Sequence, residues 1–451
     1  MTRARIVCGP LSGSNEKLLS GEEVIYLSTR PEYGNVYLDL DTFEENLGSK
    51  LDPLSRDLCE IAAYVYLADK AVPRGEFENW SRDLSFFVRV SDPRKWNSVE
   101  TILANTIATL SGDNISFRFA QKGNGENGAG QSRDKGHRLA DRSDCVCLFS
   151  GGLDSFAGAV HLLREGRRPL FVSHYVSSLK LLQTKLMTRI EQQLSGPVEH
   201  LQYRVCPKRL RQTEHPFKAR ESSHRARSFL FMSFAAAAAV ANSLRRIYIC
   251  ENGILAMNVP ISEARKGTRS TRHAHPLYLT YFKDLIDSLY GDEFSVLNPF
   301  LYWTKTQEVE LLKHSDFHRM IRNTVSCWGY PSQTVQYKGS NHCGYCLPCI
   351  VRRVSVAAAG LGQHDDRYFV NVFNLGDNGS EGQSRNITDL MHFCEQVSSR
   401  SVDDLVYDYP EFVMIEAQRD AYPKDKLAKI VDVYREFAQD CLEVSRALSR
   451  P

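Results

Sequence analysis

Hydrophobic and polar positions divide the chain into stretches with different rhythms. In the first, Glu23-Val-Ile-Tyr-Leu27 and Asn35-Val-Tyr-Leu-Asp-Leu40 predict strands, because a half-buried strand repeats every two residues. Residues 54–72 instead place Leu58, Ile61, Ala62, Val65 and Ala68 at helical spacing, and 99–110 predict a second helix. Further strands are expected over 84–90 and 115–119. The pattern then stops. Residues 121–144 (QKGNGENGAGQSRDKGHRLADRSD) are Gly-rich and polar, with no apolar face to bury. This predicts an N-terminal α+β domain over 1–120 and a flexible linker over 121–144.

After the linker the rhythm changes. Cys145-Val-Cys-Leu-Phe149 is apolar without alternation, as expected of a strand covered on both faces. A helix over 156–164, a strand over 169–174, helices over 179–194 and 225–244, and a strand over 246–250 follow. Strand alternating with helix indicates a doubly wound parallel α/β domain, placed at 145–360. The remainder, 361–451, reads as a mostly helical extension. Its last helix, 426–448, lines Leu427, Ile430, Val431, Tyr434, Phe437, Leu442 and Leu448 along one side.

Composition narrows the function classes. The chain is 42% hydrophobic and 24% charged, which excludes global disorder. Lys and Arg number 56 against 54 Asp and Glu, a net charge of +2, so bulk charge is not what would hold nucleic acid or a membrane. The uncharged run 228–244 (SFLFMSFAAAAAVANSL) is short for a membrane span and suited to close helix packing. The first ten residues carry two arginines and no apolar signal core. Of the twelve cysteines, four cluster late and the rest are scattered, which favours reduced thiols and metal ligation in a cytoplasmic protein.

The strand over 145–149 runs straight into Ser150-Gly151-Gly152-Leu153-Asp154-Ser155. Two glycines let the backbone approach a phosphate, and the helix that follows offers N–H donors and a positive dipole end. Ser150 and Ser155 add hydroxyl donors; Asp154 is suited to orienting Mg²⁺ or tying down the loop. No Gly-Lys-Ser/Thr follows the glycines and the third glycine of a dinucleotide fingerprint is missing. The second constellation is Cys343-Gly-Tyr-Cys346-Leu-Pro-Cys349, with Cys327 upstream. Four thiolates at such spacing suit a closed tetrahedral zinc site. The spacing also admits His342 in place of Cys327, or an iron–sulfur cluster.

The loop at 150–155 resembles that of the PP-loop ATP pyrophosphatases. With Thr324-Val-Ser-Cys327, the cysteine motif and Arg352, the whole resembles the 7-cyano-7-deazaguanine synthase (QueC) family. Arg227-Ser-Phe-Leu-Phe231, Ile249-Cys-Glu-Asn252 and Lys305 in Trp-Thr-Lys-Thr extend the likeness across roughly 145–360. The resemblance implies adenylation of a deazaguanine carboxylate by ATP and Mg²⁺, with amide or nitrile formation by a carbon–nitrogen ligase. It implies phosphate and adenine contacts from Ser150, Gly151, Gly152, Leu153, Asp154, Ser155 and His174. Asp154, Ser155, Arg227 and Lys305 would be catalytic, and zinc would sit on Cys327, Cys343, Cys346 and Cys349. Leu255 and Ile261 stand where the family presents carboxylates to the base, so Glu251, Asn252 or Glu263 is expected to contact the substrate. The enlarged layout resembles the QueC-like proteins of bacterial anti-phage operons, in the Qat system and type IV CBASS. Protein partners from such an operon are therefore expected. A PP-loop enzyme acting on tRNA and a non-turnover nucleotide-binding subunit are the alternatives. The basic run Lys208-Arg-Leu-Arg211, with Lys218 and Arg220, reads as a solvated face or a steering patch. Arg225 and Arg227 are candidates for neutralising phosphate, and Trp80 and Trp96 are expected in the core.

Overall fold

The computed structural model describes residues 2–9, 23–29, 34–75, 80–123, 142–194, 197–208, 221, 225–261, 272–313, 316–329, 339–374, 380–417 and 425–448. The N-terminal block contains strands β1 (Thr2–Cys8), β2 (Glu23–Leu27) and β3 (Val36–Leu38), then helices α1 (Leu40–Leu47) and α2 (Pro53–Ala71). Strand β4 (Arg82–Val90), helices α3 (Pro93–Ser98) and α4 (Glu100–Ser111), and strand β5 (Asn114–Gln121) complete it. Its sheet has the order β2-β1-β4-β5 and every pair is parallel, so this block is itself α/β rather than a mixed α+β unit. The run 35–40 does not continue as a strand. Asp39 accepts from the Thr42 N–H and starts α1 at Leu40. Asp52 and Pro53 start α2 in the same way, by a side-chain cap and a preset φ.

The second block runs β6 (Cys145–Leu148), α5 (Leu153–Arg164), β7 (Pro169–His174), α6 (Ser177–Leu194), β8 (Glu199–Tyr203) and β9 (Val205–Pro207). Helix α7 (Arg227–Ala241), strand β10 (Arg246–Tyr248), helices α8 (Gly253–Met257) and α9 (Pro276–Tyr290), strand β11 (Ser295–Leu297) and helix α10 (Lys305–Lys313) follow. Its sheet is parallel throughout, in the order β11-β10-β6-β7-β8. Successive side chains of β6 enter different cores. Val146 and Leu148 join Phe229 and Phe234 of α7, while Cys145 and Cys147 join Phe156 of α5 and Val309 of α10. The sheet is doubly wound. The chain leaves β6 toward β7 and β8, then returns to β10 on its other side, so the crevice at the carboxyl end of β6 is the switch point where such folds bind ligands. Helices α11 (Leu347–Ala358), α12 (Glu381–Ser399), α13 (Val402–Asp408) and α14 (Lys426–Leu448) close the chain. No helix among the described residues is long and apolar enough to cross a membrane; the alanine-rich α7 is almost wholly buried.

The two sheets share one continuous core. Phe43 of α1 packs edge-on against Phe234, which stacks on Tyr203 with ring centroids 3.8 Å apart. Strand β3 pairs antiparallel with β9. Of the expected linker, Gln121 belongs to β5 and Lys122 donates to Asp57 at 2.6 Å, while residues 124–141 lie outside the described residues.

Arg82 points inward from β4 and is fully buried. Its guanidinium donates to Asp69 and Asp113 at 2.6 Å each and to the Val72 carbonyl at 2.6 Å. Arg74 adds a second bond to Asp113 at 2.7 Å, and Asp69 in turn accepts from the Ala226 N–H at the start of α7. Removing one member of a buried ion pair destabilises by about 3–5 kcal/mol. Arg82→Ala is therefore expected to lower the urea midpoint by an amount equal to about 3 kcal/mol or more at pH 7. Burial raises the Asp113 carboxyl, but Arg82 and Arg74 outweigh it and hold it below its ordinary value of 3.8. The stability this contributes is present above that value and is lost as pH falls below it. The gap between parent and variant should accordingly narrow in acid.

Candidate active site

The loop between β6 and α5 sits at the switch point. Gly151 has φ +84°, a left-handed conformation that glycine adopts freely, and a Cβ there would lie 2.7 Å from Leu182 Cδ2. Gly152 caps α5 without any side-chain hydrogen bond, so the first-turn N–H groups are left for a ligand oxyanion. Ser150 Oγ accepts from the Gly152 N–H at 3.1 Å and lies 3.0 Å from Ser155 Oγ. Ser155 donates to the Gly152 carbonyl at 3.0 Å. Gln183 of α6, fully buried, donates to the carbonyls of Ser150 and His174, both at 3.1 Å. Nothing in the sequence marks Gln183 as a loop support.

Asp154 is the centre of a buried charged group. Lys305 Nζ donates to one carboxylate oxygen and Asn252 Nδ2 to the other, the latter at 2.6 Å. Burial raises the Asp154 carboxyl, yet the charge of Lys305 and the donated hydrogen bonds hold it well below the usual carboxylate range. Lys305 is fully buried at the start of α10, and Asn252 caps α8 by accepting from the Leu255 N–H at 3.1 Å. Glu308 lies one turn along α10, fully buried, a neighbour that the motif reading missed. Burial and the charge of Asp154 push its carboxyl well above the ordinary value, while Lys305 draws it back. These contacts tie Asp154 to two other elements.

Glu251 continues the network. Its Oε1 accepts from Asn252 at 3.3 Å and its Oε2 contacts His273 Nε2. Burial and Asp154 raise its carboxyl above the ordinary value, while His273 and Lys305 draw it back. Glu263 lies outside the described residues, as do Arg211, Lys218 and Arg220 of the basic run. Ile261 is buried in the core and Leu255 is half-buried.

The remaining candidates separate. His174 Nε2 is 3.2 Å from both the N–H and the carbonyl oxygen of Val205, and the ring stacks on Phe231 with Tyr66 at its edge. Burial pushes its pKa down to about 4, so the imidazole is neutral at physiological pH. Arg227 lies over the Phe231 ring. Arg225 turns the other way, against Trp80, whose ring is flanked by Arg225 and Arg74 at 4.2 Å each. Its Nε and Nη1 make no hydrogen bond to the described residues, and burial together with Arg74 pushes its pKa down to about 10. Trp96 is fully buried as expected, whereas Trp80 is half-buried in this cationic sandwich.

The four cysteines Cys327, Cys343, Cys346 and Cys349 converge, with all Sγ atoms within 4.8 Å of one another. The pairs Cys343–Cys349 and Cys346–Cys327 are 3.9 and 4.0 Å apart. A tetrahedron with zinc–sulfur distances of about 2.3 Å has edges of about 3.8 Å, so the cluster can hold zinc with little adjustment. His342 is not a member. Its Nε2 accepts from the Ser326 N–H at 3.3 Å, and its Nδ1 faces Asp366 at 3.5 Å. The buried Arg352 donates to Thr324 Oγ1 at 2.8 Å, to the Ile321 carbonyl at 2.7 Å and to Asp365 at 2.7 Å. The segment it braces reaches the phosphate loop, since the Val325 N–H donates to the Gly151 carbonyl at 3.0 Å.

Residues 144–360, just under half of the chain, match the family of the queuosine biosynthesis protein QueC. No curated protein matches the chain. The match spans both the phosphate loop and the cysteine cluster, and residues 144–360 form a QueC-like PP-loop domain. That family uses ATP in deazaguanine-type chemistry.

Proposed function

We propose that this protein, with its QueC-like PP-loop domain, is an ATP-dependent ligase that adenylates the carboxylate of a deazapurine such as 7-carboxy-7-deazaguanine and joins it to an amine. The observation that carries this reading is the uncapped N-terminus of α5 at the sheet's switch point, its loop fixed through Asp154, Asn252 and Lys305. Phosphates of ATP would lie on the N–H groups and hydroxyls of residues 150–155, with Mg²⁺ and Arg227 offsetting their charge. Because Asp154 is already bonded to Lys305 and Asn252, its work is to hold the loop rather than to carry the ion directly. A carboxylate oxygen of the substrate attacks the α-phosphorus and pyrophosphate leaves. The amine then attacks the acyl carbon and AMP leaves. Positioning and charge neutralisation supply most of the rate.

The substrate side departs from the synthase pattern, because Leu255 and Ile261 offer no carboxylate to a base edge. A buried base edge left unpaired loses about 1–3 kcal/mol per group, so base recognition falls to other residues. Of the candidates Glu251, Asn252 and Glu263, Glu251 already has both oxygens engaged by Asn252 and His273. This departure favours a product other than the housekeeping nitrile: an amide, formed with ammonia or with a protein amine from an anti-phage operon. We place zinc on Cys327, Cys343, Cys346 and Cys349 and the protein in the cytoplasm. The test is incubation of the purified protein with ATP, Mg²⁺, 7-carboxy-7-deazaguanine and ammonium, followed by mass spectrometry. AMP, pyrophosphate and the amide are the expected products. No AMP above the substrate-free control, with ammonium or with operon proteins as acceptor, overturns the reading.

A further inference from the structure

The pair His273 and Glu251 lies beside the phosphate loop and is joined to it through Asn252. His273 precedes α9, and its carbonyl accepts from Ser228 Oγ at 2.9 Å, which fixes its backbone to the first turn of α7. Its Nε2 contacts Glu251 Oε2. The imidazole side chain is 34% exposed and the Glu251 side chain 11%, so the ring reaches solvent while its partner does not. The other Glu251 oxygen accepts from Asn252, and Asn252 donates to Asp154 on the loop that would hold the phosphates. Both oxygens of Glu251 are thus engaged. A carboxylate bonded to one ring nitrogen sets the tautomer and leaves the second nitrogen as the basic one. A continuous chain of contacts, His273–Glu251–Asn252–Asp154, therefore joins a solvent-reaching base to the place where ATP is opened.

We propose that His273, oriented by Glu251, is the general base of the amine-capture step. The inference rests on the amide-forming reading above and assigns the half-reaction that the phosphate loop leaves without a proton acceptor. In this step the neutral amine nitrogen forms a bond to the acyl carbon of the adenylate. One N–H proton passes to His273 Nδ1, the bond from the acyl carbon to the AMP oxygen breaks, and AMP departs with that electron pair. The imidazolium then returns its proton to solvent. Glu251 holds the Nε2 proton and offsets the imidazolium charge. It acts as a positioning residue and not as the acceptor for the base edge.

Two half-reactions separate the roles. Exchange of labelled pyrophosphate into ATP, with 7-carboxy-7-deazaguanine present, reads adenylation; amide yield by mass spectrometry reads capture. General base catalysis contributes about 10²–10⁴-fold, so His273→Ala is expected to lower amide formation by about 100-fold. Its exchange rate should change by less than about threefold, since general-base assistance belongs to the capture step alone. Added imidazole should restore part of the amide rate in His273→Ala, an effect that a scaffold role would not produce. Glu251→Gln should lower capture while its melting temperature stays near that of the parent. Equal amide rates in parent and His273→Ala, or equal loss of exchange and capture with no imidazole rescue, overturn the general-base assignment. Exchange without any amide from the parent, whatever the amine, instead overturns the amide-forming reading and the base with it.

Discussion

Asp154→Ala is expected to lower ATP-dependent pyrophosphate release by about 100-fold or more and to destabilise the protein by about 3–5 kcal/mol. The motif alone suggests a phosphate-site residue whose removal spares the fold. The buried contacts say otherwise. Lys305 is fully buried, and its ion pair with Asp154 is what offsets its charge in a medium where an unpaired ammonium is costly. Alanine also removes the acceptor of the Asn252 amide, which caps α8, so two elements lose their tie to the loop. Glu308 makes the comparison with Asp154→Asn informative. Its carboxyl is raised by burial and by the negative charge of Asp154. With Asp154 replaced, Glu308, one turn along α10 from Lys305, is the nearby carboxyl on the same helix that can offset the ammonium. Asp154→Asn should therefore keep more of the stability than Asp154→Ala while still losing turnover. Urea denaturation and a pyrophosphate assay on both variants check this. Parent-like stability and rate in Asp154→Ala would remove Asp154 from the centre of the site.

The parts legible in the sequence were those with a local signature. The apolar runs at β6 and β7 and the phosphate-loop motif each occupy a few consecutive residues, the one-sided face of α14 repeats along a single helix, and β7 and α14 fall at the bounds their patterns predict. Helix α5 begins before its expected start at 156, because Leu153, Asp154 and Ser155 of the loop motif are themselves its first turn. The three-residue strands β9 and β11 are shorter than any periodicity can register, whereas β10 was legible over 246–250 and ends two residues sooner. The network around Asp154 was only half visible. Lys305 and Asn252 carry family-like contexts, but Glu308, Gln183 and His273 are ordinary helix or loop residues until the sheet brings them to one crevice. The union of the two blocks was hidden for the same reason. Asp69 and Tyr66 of α2 look like the polar edge of an amphipathic helix, yet one caps α7 and the other meets His174.

Cys346→Ser should yield protein that is largely insoluble, and what remains soluble should lack both metal and ATP binding. The fold argument is direct. Zinc closed by four thiolates contributes folding free energy outright, and Cys346 stands at the start of α11, where it caps the helix that carries Arg352. A serine hydroxyl is a poor zinc ligand and leaves three thiols converging without a metal to neutralise them. The effect on ATP follows from one backbone bond. Cys327 lies two residues beyond Val325, whose N–H donates to the Gly151 carbonyl in the phosphate loop. Arg352 braces the same segment through Thr324 and Ile321, and both braces depend on the cluster that seats them. Losing the metal should thus loosen the loop from outside it. Metal analysis of the parent, prepared without added zinc, is expected to give about one zinc per chain. Dialysis against a chelator should lower the melting temperature and ATP affinity together, and zinc readdition should restore both. Iron with visible charge-transfer absorption in the parent would replace the zinc assignment by a cluster. A chelated protein that melts unchanged and still binds ATP would show that the four thiols hold the segment without any metal.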